Sequence, residues 1–248
     1  MAIKSLPSGV RIVLDPADHA VCLNILHDRF ERNELEFVER SIDTGDHVID
    51  VGANVGYFAL SMAQRVGPSG SVVAIEPSPA ALRCLRASVD VNGYADRVTV
   101  IEAAAGSRDG EARFVTHRNS TNGGSGFVLA DAERSVPDGH GCSWVPLVRI
   151  DSVVRRRPIT LLKLDAEGSE LNVLAGAAAL LQQDRPLILA ELDPFCLDRV
   201  SGVRPRDVID FMARQGYSCH QLGAGTAGAR IHDAHASATE PVVFLPAR

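Results

Sequence analysis

Short runs of β-branched and other apolar residues alternate with Ala- and Leu-rich stretches from residue 47 onward. This alternation predicts βαβ units around a parallel sheet. The predicted strands lie near 47–51, 71–75, 97–102, 160–164, 186–191, 217–221 and 242–246. The predicted helices lie near 56–66, 79–92, 168–183 and 204–215, with stops at Gly67, Gly93 and Gly216. The pattern therefore predicts an α/β fold built on one doubly wound, seven-stranded sheet.

Three regions depart from this alternation. Residues 1–46 have mixed apolar positions and are interpreted as an N-terminal cap segment before a main domain over 47–248. Residues 107–145 form an insert, with ARFV and WVPLVRI as candidate extra strands. A Gly/Ala-rich stretch at 223–240 is longer than a typical connection. The insert and this stretch are each interpreted either as a lid over a site or as an ordinary surface loop.

The composition fits a single domain, with 46% hydrophobic and 23% charged residues in a chain of 248. Lysine and arginine number 25 against 31 acidic residues, and the net charge of −6 argues against nucleic acid as a partner. Five scattered cysteines without a CxxC pair predict reduced thiols. No signal-peptide core or membrane-length apolar stretch is found, so a cytoplasmic protein without a membrane partner is expected.

The sharpest local signal is VIDVGANVGYF at 48–58, where an apolar strand runs into a glycine loop and then a helix. Gly52 allows a tight turn and a close approach of the backbone to a ligand, and Gly56 allows the helix to pack closely on the sheet. A dinucleotide-binding GxGxxG would have glycine where Asn54 stands. The loop therefore predicts a bound cofactor and argues against a nicotinamide cofactor.

The next two predicted strands also end in candidate cofactor residues. AIEPS places Glu76 at the carboxyl edge of the sheet, where an acid can accept hydrogen bonds from both hydroxyls of a ribose. The alternative for Glu76 is a solvated acid beside purely architectural glycines. VIEAAAG ends the third strand, where Glu102 and Ala104 would border an adenine pocket or would be ordinary strand-end residues. The glycine loop and Glu76 together favour a nucleoside cofactor.

Charged residues gather where the fourth strand ends, in LLKLDAEGSELNVLAGA at 161–177. Lys163 and Asp165 share one face of the strand because side chains alternate along it. Asp165 is interpreted as a site residue, since a charge near a buried strand end is costly unless it is paired or used. Lys163 is either its counter-ion or a ligand for a cofactor carboxylate. Glu167 and Glu170 either serve the site or stabilise the start of the following helix.

Four blocks together resemble the FkbM-type methyltransferases, a branch of the class I S-adenosylmethionine-dependent enzymes. These blocks are DVGANVGYF at 50–58, AIEPSP at 74–79, AAAG at 103–106, and the 161–177 segment followed by RPLILAEL at 185–192. The resemblance implies a Rossmann-like, mostly parallel sheet with helices on both faces and the last strand antiparallel. It implies S-adenosylmethionine as cofactor, with contacts at Asp50, Gly52, Asn54, Gly56 and Glu76. The predicted cofactor set also includes Ala53, Tyr57, Phe58, Pro77, Glu102, Ala104 and Asp165.

The resemblance further implies O-methylation of a small hydroxylated metabolite such as a polyketide, sugar or peptide, within secondary metabolism. Such a transfer requires alignment of donor and acceptor and removal of the hydroxyl proton. The predicted catalytic residues are Asp165, Glu191 and Lys163, with His27, His117 and His235 as alternative bases. A divalent cation held by the acids is a further alternative, but no metal ligand is predicted.

Other functions stay open on the sequence alone. The chain could be a non-catalytic scaffold that binds the cofactor, or an N-methyltransferase on the same fold. Asn54 makes an NAD-dependent oxidoreductase improbable. A homodimer is considered alongside the small-molecule acceptor as a partner. The acceptor itself cannot be inherited, because residues 1–46 and 107–145 match the family least.

Overall fold

The computed structural model describes residues 1–16, 19–117, 126–129, 136, 139–231 and 240–247. The strands are β1 (Ala2–Ser5), β2 (Arg11–Leu14), β3 (His47–Val51), β4 (Ser71–Glu76), β5 (Val98–Glu102), β6 (Ala104–Ala105), β7 (Gly110–His117), β8 (Gly126–Leu129), β9 (His140–Val148), β10 (Ile159–Leu164), β11 (Leu187–Leu192), β12 (Tyr217–Leu222), β13 (Ala227–Arg230) and β14 (Glu240–Pro246). The helices are α1 (His19–Leu26), α2 (Arg32–Ser41), α3 (Tyr57–Val66), α4 (Pro79–Asn92), α5 (Ile150–Val153), α6 (Glu170–Ala175), α7 (Ala178–Gln183), α8 (Pro194–Ser201) and α9 (Pro205–Arg214). Within these residues, no helix is both long and apolar enough to cross a bilayer.

The central sheet has the strand order β13-β12-β14-β11-β10-β3-β4-β5. Strands β3, β4, β5, β10 and β11 pair in parallel, whereas β14 is antiparallel to both β11 and β12. The chain winds outward from β3 in one direction and from β10 in the other. The loops after β3 and β10 therefore separate at the centre of the sheet, where open α/β folds bind ligands.

Helices cover both faces of the sheet because its central strands are apolar on both sides. One core joins the β3 residue Val48 and the β10 residue Leu161 to α1–α4. The other core joins Ile49 and Leu162 to α6–α9. Asp50 and Lys163 are partners in the β3–β10 ladder and continue the first of these faces. Two charged side chains thus lie on an otherwise apolar face.

The insert folds into a second sheet with the strand order β6-β9-β7-β8. Its own small core contains Ala112, Phe114, Val128 and Leu147. Strand β6 follows β5 directly, which joins this added sheet to the edge of the central one. The N-terminal hairpin β1–β2 packs on α4, where Ser88 Oγ accepts a 2.8 Å hydrogen bond from the backbone of β2.

The predicted α/β fold, with a doubly wound sheet and an antiparallel last strand, is confirmed. Three details differ from the prediction. The sheet has an eighth strand, β13, within the 223–240 stretch. The single helix predicted over 168–183 is two helices, α6 and α7, and the insert holds β8 besides the two candidate strands. The lid interpretations for 118–125 and 232–239 fall outside the described residues.

Candidate functional site

A cleft opens at the centre of the sheet, where the loops after β3 and β10 separate. Its free space is about 570 Å³, including the part that is open to solvent. We call it the switch-point cleft. It is lined by Val51, Gly52, Asn54, Ile75, Glu76, Pro77, Ala103, Ala104, Ala105, Phe114, Gly126, Val128, Asp165, Ala166, Glu167 and Ser169. The central sheet, the β10–α6 loop and the added sheet therefore all contribute walls.

The glycine loop after β3 is held close to its neighbours. Gly52 has φ +75°, and a Cβ there would lie 1.8 Å from the carbonyl oxygen of Asp165. The amides of Gly52 and Ala53 both donate to Ile75 O, at 3.0 and 3.1 Å. Gly56 has φ +97°, and its Cβ would lie 2.6 Å from Leu85 Cδ1. Glycine is therefore required here by backbone conformation and by the space available.

Glu76 ends β4 with its carboxylate in the cleft and buried. It accepts hydrogen bonds from the backbone amides of Asn54, at 2.9 Å, and Ser78, at 2.7 Å. Burial raises the pKa of Glu76 to about 7, while these amide bonds lower it. A carboxylate has about four acceptor positions. Two of them remain for the hydroxyl donors of a ligand.

Two further polar atoms of the cleft lack partners. Asn54 Oδ1 and Ser169 Oγ are buried without a hydrogen bond among the described residues. Buried polar atoms are normally paired, so two such atoms lining one cavity indicate a polar ligand. A second buried acid, Asp50, lies beside the cleft. Neither of its carboxylate oxygens makes a hydrogen bond of normal geometry in the described chain, although the nearby Ala59 amide and Lys163 lower its pKa against the larger effect of burial.

Asp165 and Lys163 form an ion pair at the end of β10. Lys163 Nζ lies 3.1 Å from Asp165 Oδ2 and 4.8 Å from the centre of the Phe58 ring. Lys163 is only 6% exposed. Burial lowers the pKa of Lys163, but the carboxylates of Asp165, Glu31 and Asp50 outweigh burial and raise it above its ordinary value. Lys163 therefore stays protonated and fixes the Asp165 carboxylate.

Beside the switch-point cleft lies an acidic cavity whose free space, counted in the same way, is also about 570 Å³. We call it the acid pocket. It is lined by Glu31, Glu34, Lys163, Leu164, Leu189, Ala190, Glu191 and Pro241. One carboxylate oxygen from each of Glu31, Asp165 and Glu191 lies within 4.8 Å of the others. Asp165 thus belongs both to the lining of the cleft and to the group of acids at this pocket.

Crowding of these acids favours their protonated forms. Burial, followed by repulsion from Asp165 and Glu31, raises the pKa of Glu191 to about 8. Burial raises the pKa of Glu31 to about 7. Three oxygens at this spacing could also bind a divalent cation. The arrangement therefore supplies proton acceptors that titrate near neutral pH.

The two glutamates of the β10–α6 loop differ in their contacts. Glu170 Oε1 accepts bonds from the amides of Ala166, at 2.9 Å, and Gly168, at 3.1 Å, so this side chain shapes the loop. Glu167 lines the cleft and receives a 3.6 Å contact from Cys196 Sγ. Burial raises the pKa of each glutamate to about 7. Glu170 therefore holds the β10–α6 loop that precedes α6, a structural role different from the predicted stabilisation of the helix start.

An aromatic contact ties the added sheet to α8. The Arg199 guanidinium lies 5.2 Å from the centre of the Phe127 ring and 5.7 Å from that of Phe195. Phe127 belongs to β8, whose neighbours Gly126 and Val128 line the cleft. Helix α8 thus holds the wall that the added sheet contributes.

The structure divides the predicted cofactor residues into those that line the cleft and those that do not. Those that line the cleft are Gly52, Asn54, Glu76, Pro77, Ala104 and Asp165. Those outside the lining are Asp50, Ala53, Gly56, Tyr57, Phe58 and Glu102. Glu102 is half-exposed and pairs with Arg86 at 2.9 Å. The remaining predicted catalytic residues, Lys163 and Glu191, line the acid pocket.

Sequence reasoning missed several residues of this region. Glu31 reaches the acid pocket from the segment before α2, far along the chain from Asp165 and Glu191. Phe114, Gly126 and Val128 come from the insert, whose sequence carries no recognisable motif. Among the histidines considered as bases, His27 is exposed, whereas the His117 side chain and His235 lie outside the described residues.

The sequence matches the family described as the Methyltransferase FkbM domain over residues 50–219. The chain belongs to this family. FkbM proteins are S-adenosylmethionine-dependent methyltransferases, and the matched residues include the glycine loop, Glu76, Asp165 and Glu191. The family resemblance that the sequence motifs indicate is thereby confirmed.

The relatives that the chain matches differ in length. The 31-O-demethyl-FK506 methyltransferase FkbM of Streptomyces tacrolimicus is 33% identical over 201 residues, covering 69% of this chain and 74% of the relative. The AMB antimetabolite synthetase AmbE of Pseudomonas aeruginosa is 28% identical over 252 residues, covering 86% of this chain. The chain spans only 11% of that synthetase. A solved FkbM methyltransferase from Methylobacillus flagellatus is 18% identical with a TM-score of 0.47, covering 94% of this chain and 55% of that one.

Proposed function

We propose that the chain transfers a methyl group from S-adenosylmethionine to a hydroxyl oxygen of a small-molecule acceptor. The observation that carries this proposal is the position of Asp165, which lines the switch-point cleft and also lies within 4.8 Å of the acid-pocket carboxylates. A donor in the cleft and an acceptor in the acid pocket would meet beside Asp165. Alignment of two reactants is the main contribution an enzyme makes to such a displacement.

The residues of the cleft fit this cofactor. Gly52 leaves the backbone open to a ligand, and Glu76 keeps acceptor positions for ribose hydroxyls. The unpartnered Asn54 Oδ1 supplies a further polar contact. When bound, S-adenosylmethionine supplies an electrophilic methyl group on a positively charged sulfonium. The acidic lining of Asp165 and Glu167 suits that charge.

Glu191 is the proposed general base. An alcohol oxygen becomes a better nucleophile as its proton leaves, and a base with a pKa near the working pH is the most effective. The pKa of Glu191, raised by burial and by Asp165 to about 8, meets this condition. A Glu191 carboxylate oxygen would take up the proton that the acceptor hydroxyl loses. Lys163 orients the Asp165 carboxylate through their 3.1 Å ion pair, so Lys163 acts as a positioning residue.

Three observations support a small hydroxylated acceptor. The acid pocket is a concave cavity lined by eight residues, which suits part of a metabolite rather than a polymer. The net charge of −6 disfavours a nucleic acid. The name of the FkbM relative from Streptomyces tacrolimicus also records a methyl transfer to oxygen.

Calorimetric titration with S-adenosylhomocysteine, beside NAD, tests the cofactor assignment. We expect binding of S-adenosylhomocysteine alone, and a large loss of affinity in Glu76→Ala. Glu111→Ala, which removes an exposed acid on β7, is the matched control and should bind normally. Binding of NAD alone, or unchanged affinity in Glu76→Ala, would show that the assignment is wrong. Transfer of labelled methyl to a panel of alcohols and amines then decides between oxygen and nitrogen.

A further inference from the structure

Ser169 has a hydroxyl without a use in the described structure. It immediately precedes α6, where a serine commonly caps the helix by accepting an amide hydrogen bond. Ser169 makes no such bond. Its side chain is only 3% exposed, and its Oγ has no partner among the described residues. A buried, unpaired hydroxyl costs stability, so its presence calls for a ligand that satisfies it.

Apolar residues form the wall of the cleft next to the added sheet. Ser169 lines the switch-point cleft together with Ala104, Ala105, Phe114 and Val128. It also lines the adjoining cavity beneath the added sheet, with Leu147 and the polar residues Arg108 and Asn172. One hydroxyl among small apolar and aromatic side chains suits a flat heteroaromatic ring, which has apolar faces and polar edges.

The order of groups along the cleft identifies which part of a cofactor reaches Ser169. Glu76 would hold the ribose, and the reactive end must face Asp165 and the acid pocket. The nucleobase then occupies the remaining end, between the Ala103–Ala105 segment and the added sheet. This placement rests on the proposed function.

We propose that Ser169 Oγ hydrogen-bonds the nucleobase of the cofactor, and that β7 and β8 form the wall opposite Ala103–Ala105. The insert therefore serves the cofactor end of the site, whereas the sequence alone left it as either a lid over a site or an ordinary surface loop. Ser169 would therefore affect the affinity for the cofactor rather than the chemical step.

Two ligands separate contact with the base from contact with the amino-acid part. S-Adenosylhomocysteine contains both parts, whereas 5′-methylthioadenosine keeps the base and ribose and lacks the amino acid. Ser169→Ala should weaken both ligands by the same factor, about 10-fold, as expected for one lost hydrogen bond. Ser169→Cys, nearly isosteric but a poor hydrogen-bonding group, should also weaken both. Ser107→Ala is the control, because Ser107 is an exposed serine beside the same apolar cavity.

Thermal unfolding distinguishes a binding role from a structural one. Without ligand, Ser169→Ala should have a Tm equal to or above that of the wild type, because it removes an unpaired hydroxyl. With S-adenosylhomocysteine, the ligand-induced rise in Tm should be smaller than in the wild type. Normal affinity in Ser169→Ala, or a loss confined to S-adenosylhomocysteine, would overturn this assignment alone. Failure of the wild-type chain to bind S-adenosylhomocysteine would overturn the proposed function together with it.

Discussion

Replacing Asp50 by asparagine should stabilise the ligand-free protein, and more so at high pH. Burial raises the pKa of Asp50 from 3.8 to about 6. The folded state thus holds this proton more tightly than the unfolded chain, so wild-type stability falls as pH rises through this window. At about 1.4 kcal/mol per unit, this shift lowers the unfolding free energy of the wild type by about 1.5 kcal/mol at pH 5 and by about 3 kcal/mol at pH 8, relative to an acid whose pKa is unshifted.

The assay is urea unfolding followed by circular dichroism at both pH values. The difference in unfolding free energy between Asp50→Asn and the wild type cancels the titration of groups that do not interact with Asp50. Glu31 and Glu76 add to the difference in the same direction, because the Asp50 charge raises the pKa of each. The difference should therefore grow by about 1.5 kcal/mol between pH 5 and pH 8, in favour of the variant. The asparagine amide adds only an offset that does not depend on pH. Asp198→Asn, at an exposed position of α8, is the matched control.

A flat difference for Asp50→Asn would refute the reasoning, because it would mean that the carboxylate is not desolvated in the folded protein. A variant whose unfolding free energy falls below that of the wild type at high pH would refute it more strongly, since ionised Asp50 would then stabilise the fold through a partner. Either result would remove the argument that an unpaired acid is kept beside the cleft for a ligand.

Three other predictions concern the site. Gly52→Ala should abolish binding of S-adenosylhomocysteine, because its Cβ would lie 1.8 Å from a carbonyl oxygen of the β10–α6 loop; Gly93→Ala, equally left-handed but with open space around it, should bind normally. The rate of methyl transfer should rise with pH and level off above about 8, the pKa of Glu191. Glu191→Gln should lose turnover while keeping its affinity for the cofactor. A rate that falls as the pH rises to 8 would exclude Glu191 as the base. Arg199→Ala should speed hydrogen exchange of the β8 amides, since the guanidinium stacked on Phe127 and Phe195 contributes about 0.5–2 kcal/mol. Trp144→Ala, at an exposed position of the same sheet, is the control. If both variants exchange at the same rate, the stack does not hold this wall.

The sequence by itself determined the central sheet and the two loops that meet at its middle. Apolar strands leave a strong pattern, and Gly52 and Asp165 follow strand ends directly, so local position fixes where they lie. Parallel strands share one carboxyl edge, and for this reason the sequence alone predicts that these distant residues lie together.

Helix α6 and helix α7 show where local pattern failed. The apolar spacing over 168–183 is continuous and predicts one helix. A Cβ on Gly176 would lie 2.0 Å from the carbonyl oxygen of Gly106, so the chain passes against another backbone at this point. Helix α7 is capped by Asp151, which lies far from it along the chain. The Asp151 carboxylate accepts hydrogen bonds of 2.9 and 3.0 Å from the amides of Ala179 and Leu180. Both causes are tertiary contacts.

The functional groups divide in the same way. Glu191 was found because it ends a strand, whereas Glu31 lies in a segment without a motif and joins the acids only because α2 packs on the sheet. Ser169 has the sequence position of an ordinary helix-start serine, and only the folded chain shows its hydroxyl buried and unpaired. The sequence predicts which side chains lie at the ends of strands. Burial, pairing and shifted pKa values depend on neighbours from other elements, so only the tertiary structure could decide them.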